Sequence, residues 1–190
     1  MISGAALSAA TGATPAVDDV SRAIRNFQDL DQWKTAVTIS VKGETAKVAG
    51  FWTGSKLLLQ VTTVQGKQVL AMFEKGKSYL SADGKSWQPD ASGLAQQQLT
   101  MIGACVNWDG KGTPAGKYDW AGTEVVDGEK TMKITGIGLN GKPATYWMYD
   151  HPKYGKMIKK SVMDLQMGGD TVKVTAVFSE PVSQNPRVAK

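Results

Sequence analysis

Short alternating runs separated by glycine-containing turns constrain the fold of this chain more than any other feature. Polar and apolar residues alternate in segments such as "TAVTISV" (35–41) and "TVKVTAVF" (171–178), which is the period of a half-buried β-strand. Dipeptides that favour tight turns separate many of these runs. The pattern predicts a long antiparallel meander of about nine or more strands, with turns at Gln65-Gly66, Asp83-Gly84, Asp127-Gly128, Asn140-Gly141 and Gly168-Gly169.

Two segments have helical rather than strand character. In residues 16–30, Val17, Val20, Ile24 and Phe27 recur at spacings of three and four, which is typical of an amphipathic helix with one apolar face. Pro15 suits the first turn of that helix. The segment 90–106 interrupts the strand pattern, and we expect a second, short helix there.

A sheet this wide curls, because strand twist accumulates from one strand to the next. We therefore predict an α+β fold: a strongly curved antiparallel sheet, an unclosed β-barrel, with helices covering its concave face. The chain of 190 residues is long enough for one domain with a real core. We assign 1–14 as a flexible N-terminal segment and 15–190 as a single half-barrel domain.

Composition excludes several function classes. The net charge is +5, with 22 Lys and Arg against 17 Asp and Glu. The lysines are scattered and only three arginines occur, so we expect no nucleic-acid binding. No run of about 18 apolar residues occurs, so we expect no transmembrane segment.

Catalytic and metal-binding patterns are missing from the sequence. None of the nucleophile-elbow, zinc-protease, P-loop or dinucleotide motifs is present. Cys105 is the only cysteine and His151 the only histidine, so neither a disulfide nor a Cys/His zinc set can form. We expect no enzyme activity, no cofactor and no metal. An enzyme hypothesis would require Asp150, His151 and Tyr154 to face a pocket.

The order of elements resembles that of the LolA/LolB-type periplasmic lipoprotein carriers and the related lipoprotein-sorting proteins. An amphipathic helix, "DDVSRAIRNFQDLDQWKTAV", precedes the first strand, and "GKSYLSADGKSW" is similar to that superfamily's strand and turn. The phrase "PATYWMYDHPKYGKMIKKSVM" resembles its later hairpin, and "TVKVTAVFSEPVSQNP" resembles its last strand. The resemblance implies an unclosed barrel that binds lipid acyl chains or other hydrophobic molecules in the cell envelope.

The same resemblance sets the expected location and partners. The N-terminus "MISGAALSAATGATPA" is similar to the end of a secretory leader or the start of an exported chain, so we expect a periplasmic or otherwise exported protein. Envelope proteins are possible partners beside the lipid. The classical carriers have an arginine on an early strand, whereas residues 35–64 contain none. This difference favours a general hydrophobic-ligand binder over a lipoprotein shuttle.

Aromatic and methionine residues provide the candidate binding site. Segments such as "LLLQV", "VLAMF" and "TYWMY" place bulky apolar groups on both faces of their strands, and methionine-rich linings suit variable apolar ligands. We predict a hydrophobic cavity in the concave face of the curved sheet, lined by Leu57, Leu59, Val69, Phe73, Trp120, Tyr146 and Met148. The alternative is a structural or protein-interaction module whose core is filled by its own side chains.

Overall fold

The computed structural model describes residues 15–28, 30–53, 56–98, 101, 118–137, 142–167 and 169–179. The N-terminal segment 1–14, Cys105 and the Asn140-Gly141 turn lie outside the described residues. In chain order the elements are α1 (Pro15–Gln28), β1 (Trp33–Val41), β2 (Glu44–Trp52), β3 (Lys56–Thr62), β4 (Gln68–Glu74), β5 (Lys77–Ser81), β6 (Gln88–Pro89), β7 (Tyr118–Val126), β8 (Glu129–Ile137), β9 (Pro143–His151), β10 (Gly155–Met167) and β11 (Asp170–Phe178).

The described strands form one antiparallel sheet of 11 strands in the order β6-β5-β4-β3-β2-β1-β11-β10-β9-β8-β7. The sheet is unclosed, since β6 and β7 are its two edges. The predicted single meander is therefore incorrect in one respect. Two meanders, β1–β6 and β7–β11, are joined where β1 pairs with β11, from Thr35↔Phe178 to Ser40↔Lys173.

Tight hairpins connect most neighbouring strands within each meander. Between β7 and β8, Asp127 and Gly128 have φ values of 48° and 81°, as a two-residue type I′ turn requires. In Lys42-Gly43 and Lys75-Gly76, too, both residues have positive φ values. The predicted turns at Gln65-Gly66 and Asp127-Gly128 are confirmed, whereas Asp83-Gly84 lies in a longer bend at 82–86.

The helix α1 packs against β10, β7 and β9. Its Val20 and Ile24 are buried, as predicted, together with Ala16 and Ala23; the side chains of Val17 and Phe27 lie outside the described part. The Asn26 amide donates to the backbone carbonyls of Tyr154 at 3.0 Å and Lys156 at 2.9 Å. These bonds fix the helix to the β9–β10 turn.

A second helical stretch occupies 94–98 within the region where a short helix was expected. Asp90 organises its start, because the Asp90 carboxylate accepts hydrogen bonds from the Ala95 and Ser92 amides. None of the helices in the described residues is both long and apolar enough to cross a membrane.

The sheet has two distinct faces in its β1–β4 and β11 part. The core face carries alternate residues that are buried with the α1 side chains in one cluster, namely Trp33, Val37, Val48, Leu57, Leu59, Ala71, Phe73, Val174, Ala176 and Phe178. Their sequence neighbours point to the opposite side, which we call the groove face. The burial pattern of β1, buried at every second residue from Trp33 to Ile39, follows this division.

Candidate ligand groove

The candidate site is a groove of about 730 Å³ on the groove face of the sheet. This volume lies within the range of about 300–1,000 Å³ that is typical of small-molecule sites. The groove crosses five neighbouring strands, β4, β3, β2, β1 and β11. At a strand spacing of about 4.8 Å, this distance is about 19 Å.

Two rows of cross-strand partners form the sides of the groove. The register joins Leu70, Gln60, Ala49, Ala36 and Val177 in one row. It joins Leu58, Phe51 and Lys34 in the other. Residues of the row between them, Ala71, Leu59, Gly50, Thr35 and Phe178, also line the groove. Because the side chains of this middle row point to the core face, their backbone forms the floor.

A bend stabilised by Asp83 closes the β4 end of the groove. The Asp83 carboxylate accepts hydrogen bonds from the Lys85 and Ser86 amides at 2.8 and 2.9 Å. The Ser86 amide is the main cause of the lowered pKa of Asp83. This bend brings Gly84 over Leu70, so that a Cβ atom at position 84 would lie 3.1 Å from Leu70 Cδ1.

Trp87 follows this bend and lines the groove with Gly84. Its half-buried ring contributes to an apolar wall that a bound molecule can contact.

The opposite end of the groove carries charge. Lys34, Lys159 and Asp127 line it, and the backbone there is joined by a hydrogen bond of 3.1 Å from the Ser179 amide to the Lys34 carbonyl. Lys159 occupies a β-bulge, because Ile158 pairs with Met148 while Lys160 pairs with the adjacent residue of β9, Trp147, which leaves Lys159 without a partner in the ladder. A bulge of this kind redirects the side chain of the extra residue.

The seven sequence-predicted site residues separate into three groups. Leu57, Leu59, Phe73, Tyr146 and Met148 are buried in the core cluster. Val69 is half-buried, and Trp120 is 41% exposed. Only Leu59 of the seven also lines the groove, at its floor. The role of the seven as ligand contacts stays a prediction.

Sequence analysis did not identify the other groove residues, among them Phe51, Leu58, Leu70 and Trp87. The run Leu57-Leu58-Leu59 is apolar at every position, so it gives no signal for which residues face which side. A signal was present in the flanking strands. In β1, Lys34, Ala36 and Thr38 alternate with the bulky Trp33, Val37 and Ile39 of the core face.

The residues of the enzyme hypothesis occupy the β9–β10 turn. The His151 Nδ1 atom accepts hydrogen bonds from the Lys153 and Tyr154 amides at 3.1 and 3.2 Å. The His151 ring stacks on Tyr154 at 4.7 Å between centroids. Asp150 forms an ion pair with Lys156 at 2.9 Å. These contacts stabilise the turn, and none of the three residues lines the groove.

The β7–β10 part of the sheet holds a polar cluster on the surface. Glu124 accepts a hydrogen bond from the Trp147 indole and another from Lys133, both at 2.7 Å. Lys133 is the main cause of the lowered pKa of Glu124. Lys133 and Lys160 lie 5.2 and 4.5 Å from the Trp147 ring centroid. In the described residues, no group of three or more His, Cys, Asp or Glu side chains is arranged to hold a metal ion.

Comparison with known proteins identifies the fold. No family model and no curated protein sequence matches the chain. The crystal structure of lipoprotein LppX from Mycobacterium tuberculosis aligns with a TM-score of 0.62 at 17% identity, covering 90% of this chain and 94% of LppX. LprF from Mycobacterium bovis aligns with a TM-score of 0.56 at 13% identity, covering 93% and 98% of the two chains.

A third structure, MucB, aligns with a TM-score of 0.52 at 11% identity and covers 94% of this chain. The chain spans 63% of the length of MucB. These similarities show that the chain has the LolA/LppX-like fold. The resemblance in the sequence is therefore confirmed at the level of the fold.

Proposed function

We propose that this protein is a non-catalytic cell-envelope protein that binds a hydrophobic ligand, a lipid or an acyl chain, against its curved sheet. The groove of about 730 Å³ is the observation that carries the proposal. Its sides present Leu58, Phe51, Leu70 and Val177, and its end presents Trp87. An apolar site with few polar groups is what a hydrocarbon chain requires.

The distribution of apolar residues supports this assignment. In the β1–β4 region the core face is already occupied by buried side chains, such as Leu57 and Val48 at 2% exposure each. The apolar groups on the groove face are in excess of what this core uses. A bound chain would remove them from water, at about 25 cal/mol per Å² of apolar surface.

The comparisons with solved structures also support an envelope location. LppX is described as a lipoprotein, and we extend the envelope location to this chain as part of the proposal. The proposal also gives α1 a covering role over the concave face of the sheet, which is the core face, so the groove lies on the other side of the sheet from α1. Its packing against β9 and β10 supports that role.

A bulky substitution inside the groove tests the proposal. Ala49 lines the groove, with an exposed side chain in β2. Thr45 is exposed on the same face of the same strand, outside the groove lining. The variant A49W should block the uptake of a fluorescent fatty acid, whereas T45W should bind it as the wild-type protein does.

Native mass spectrometry of the gently purified protein provides the second measurement. A co-purifying lipid that is lost in A49W supports the proposal. Wild-type protein that carries no lipid and takes up no fatty acid would refute it.

A structural or protein-interaction module remains the second candidate function. It is favoured by the buried positions of Leu57, Phe73 and Met148, which act as core. It is also favoured by Val125 on edge strand β7, which is 72% exposed, since an unpaired edge with apolar side chains can pair with another chain. In that case A49W would leave every measured binding property unchanged, and Val125→Lys would release a protein partner.

A further inference from the structure

We infer that the ligand of the groove is an amphiphile with one hydrocarbon chain and an anionic headgroup, a carboxylate or a phosphate monoester, held by Lys159 and Lys34. This inference rests on the proposed function and specifies the chemistry of its ligand. The hydrocarbon chain lies across the strands from β11 towards β4. The headgroup lies at the β11 end.

Lys159 is the main reason for an anionic headgroup. The residue is buried, with 9% of its surface exposed, and it lines the groove. Within the described residues, its ammonium has no ion pair or hydrogen bond. The other lysine that is equally buried, Lys156, is paired with Asp150 at 2.9 Å. The Lys159 ammonium is not one of the fully buried unpaired polar atoms of the described residues, so it stays open to the groove, where an anionic headgroup can form a charge-assisted hydrogen bond with it.

The β-bulge places this cation where a headgroup would lie. Lys159 is the extra residue between Ile158 and Lys160, and it lines the groove together with Phe178 and Ser179. In a regular strand Ile158 and Lys160 would share one face of the sheet and Lys159 would point to the other; the bulge breaks this alternation.

Lys34 supplies a second cation from the adjacent strand β1. Its Nζ atom lies 5.7 Å from the centroid of the Phe51 ring, so the ammonium is held over the groove side. Asp127 also lines this end, but its side chain is exposed to solvent. The lining therefore carries two positive charges and one negative charge, and Lys159 is the most buried of the three residues.

The rest of the groove suits a single chain. Along its course of about 19 Å, estimated from the strand spacing, the sides are built from Ala36, Ala49, Phe51, Leu58 and Leu70 with one amide, Gln60. Trp87 closes the far end. The charged end and the apolar end are thus separated by the length of the groove, as the headgroup and the chain end of an amphiphile are.

A matched pair of ligands tests the inference. Hexadecanoate and hexadecanol have the same chain and differ in the charge of the headgroup. Each is titrated against the full-length protein loaded with the neutral dye N-phenyl-1-naphthylamine, and displacement of the dye is measured. We expect hexadecanoate to bind about tenfold more tightly than hexadecanol, the size expected for a charge-assisted hydrogen bond. Hexadecyl phosphate should behave as hexadecanoate does.

Three lysine variants locate the effect. K159M should remove the preference for the anion, so that hexadecanoate and hexadecanol bind with equal affinity, while K159R should retain the preference. K34M should reduce it in part. The control K47M changes an exposed lysine on the same face of β2, outside the groove lining, and should have no effect.

The outcomes separate this inference from the proposed function. Equal affinity for hexadecanoate and hexadecanol in the wild-type protein would overturn the anionic headgroup and leave the hydrophobic groove intact. Displacement of hexadecanoate by inorganic phosphate alone at equal concentration would overturn the amphiphile in favour of a simple anion site. If the dye, the acid and the alcohol all fail to bind, the proposed function itself fails.

Discussion

Three consecutive leucines of β3 allow a direct test of the two faces of the sheet. Leu57 and Leu59 are each 2% exposed in the core cluster, whereas Leu58 is half-buried and lines the groove. Replacing each leucine by alanine makes the same chemical change at neighbouring positions. Only the face differs, so stability and ligand binding should respond in opposite ways.

The expected magnitudes follow from burial. Leu→Ala at a fully buried site costs about 2–5 kcal/mol of unfolding free energy. For a chain of this size, each kcal/mol lowers Tm by about 2–4 °C. L57A and L59A should therefore lower Tm by about 4–20 °C. L58A removes three carbon groups that are about half-buried, so it should lower the free energy of unfolding by about 1 kcal/mol.

Ligand binding should show the reverse order. Loss of the Leu58 contact should weaken the binding of a fatty acid about fivefold, at about 0.8 kcal/mol per buried methylene group. L57A should bind with wild-type affinity at a temperature where it is folded. Differential scanning fluorimetry and dye displacement on the same samples measure both quantities. An L58A variant as unstable as L57A, with unchanged affinity, would refute the assignment of the groove face.

Three further variants test contacts elsewhere in the fold. N26A should lower stability by about 1–3 kcal/mol, because two hydrogen bonds from α1 to backbone carbonyls are lost; urea denaturation measures this, and an unchanged midpoint would exclude α1 anchoring by this amide. E124Q should lower Tm at neutral pH, because the carboxylate that accepts from Trp147 and holds a lowered pKa is removed. A carboxylate whose pKa is lower in the folded than in the unfolded state stabilises the fold at pH values above the unfolded pKa, and this contribution is lost as the pH falls through the folded pKa. The Tm values of wild type and E124Q should therefore converge at acidic pH. A difference in Tm that does not change with pH would contradict this. G84A should destabilise the bend, because φ is +74° and a Cβ would lie 3.1 Å from Leu70; equal dye affinity and Tm in G84A would show that the bend is not constrained.

Local sequence signals predicted the elements of this fold well. Alternation located the strands, and Pro15 and the Val20–Ile24 spacing located α1. The I′ turn at Asp127-Gly128 was predicted because aspartate and glycine both tolerate positive φ. Each of these features depends on residues within a few positions of one another.

The strand order could not be predicted in the same way. The hydrogen bond from the Thr35 hydroxyl to the Val177 carbonyl joins residues 142 positions apart at 3.1 Å. No local pattern encodes a partner at that distance. Alternation is compatible with a single meander and with two meanders that meet at β1 and β11.

The groove was also beyond sequence reasoning, for two physical reasons. Apolar side chains occupy both faces of β3 and β4, so the side facing the core could not be assigned from Leu57, Leu58 and Leu59. The bulge that redirects Lys159 is a feature of pairing with β9. The sequence "MIKKSVM" contains no glycine or proline that would indicate it.

The pairing of β1 with β11 has a consequence for the order in which the molecule is assembled. During synthesis on the ribosome, β11 emerges after all the other described strands, yet it occupies a central place between β1 and β10. Until then each half of the nascent chain presents an open strand with unpaired amides, which is a hazard for association between chains. Completion of the sheet is therefore a late and long-range event, and chaperone dependence should fall sharply once β11 has paired with β1 and β10.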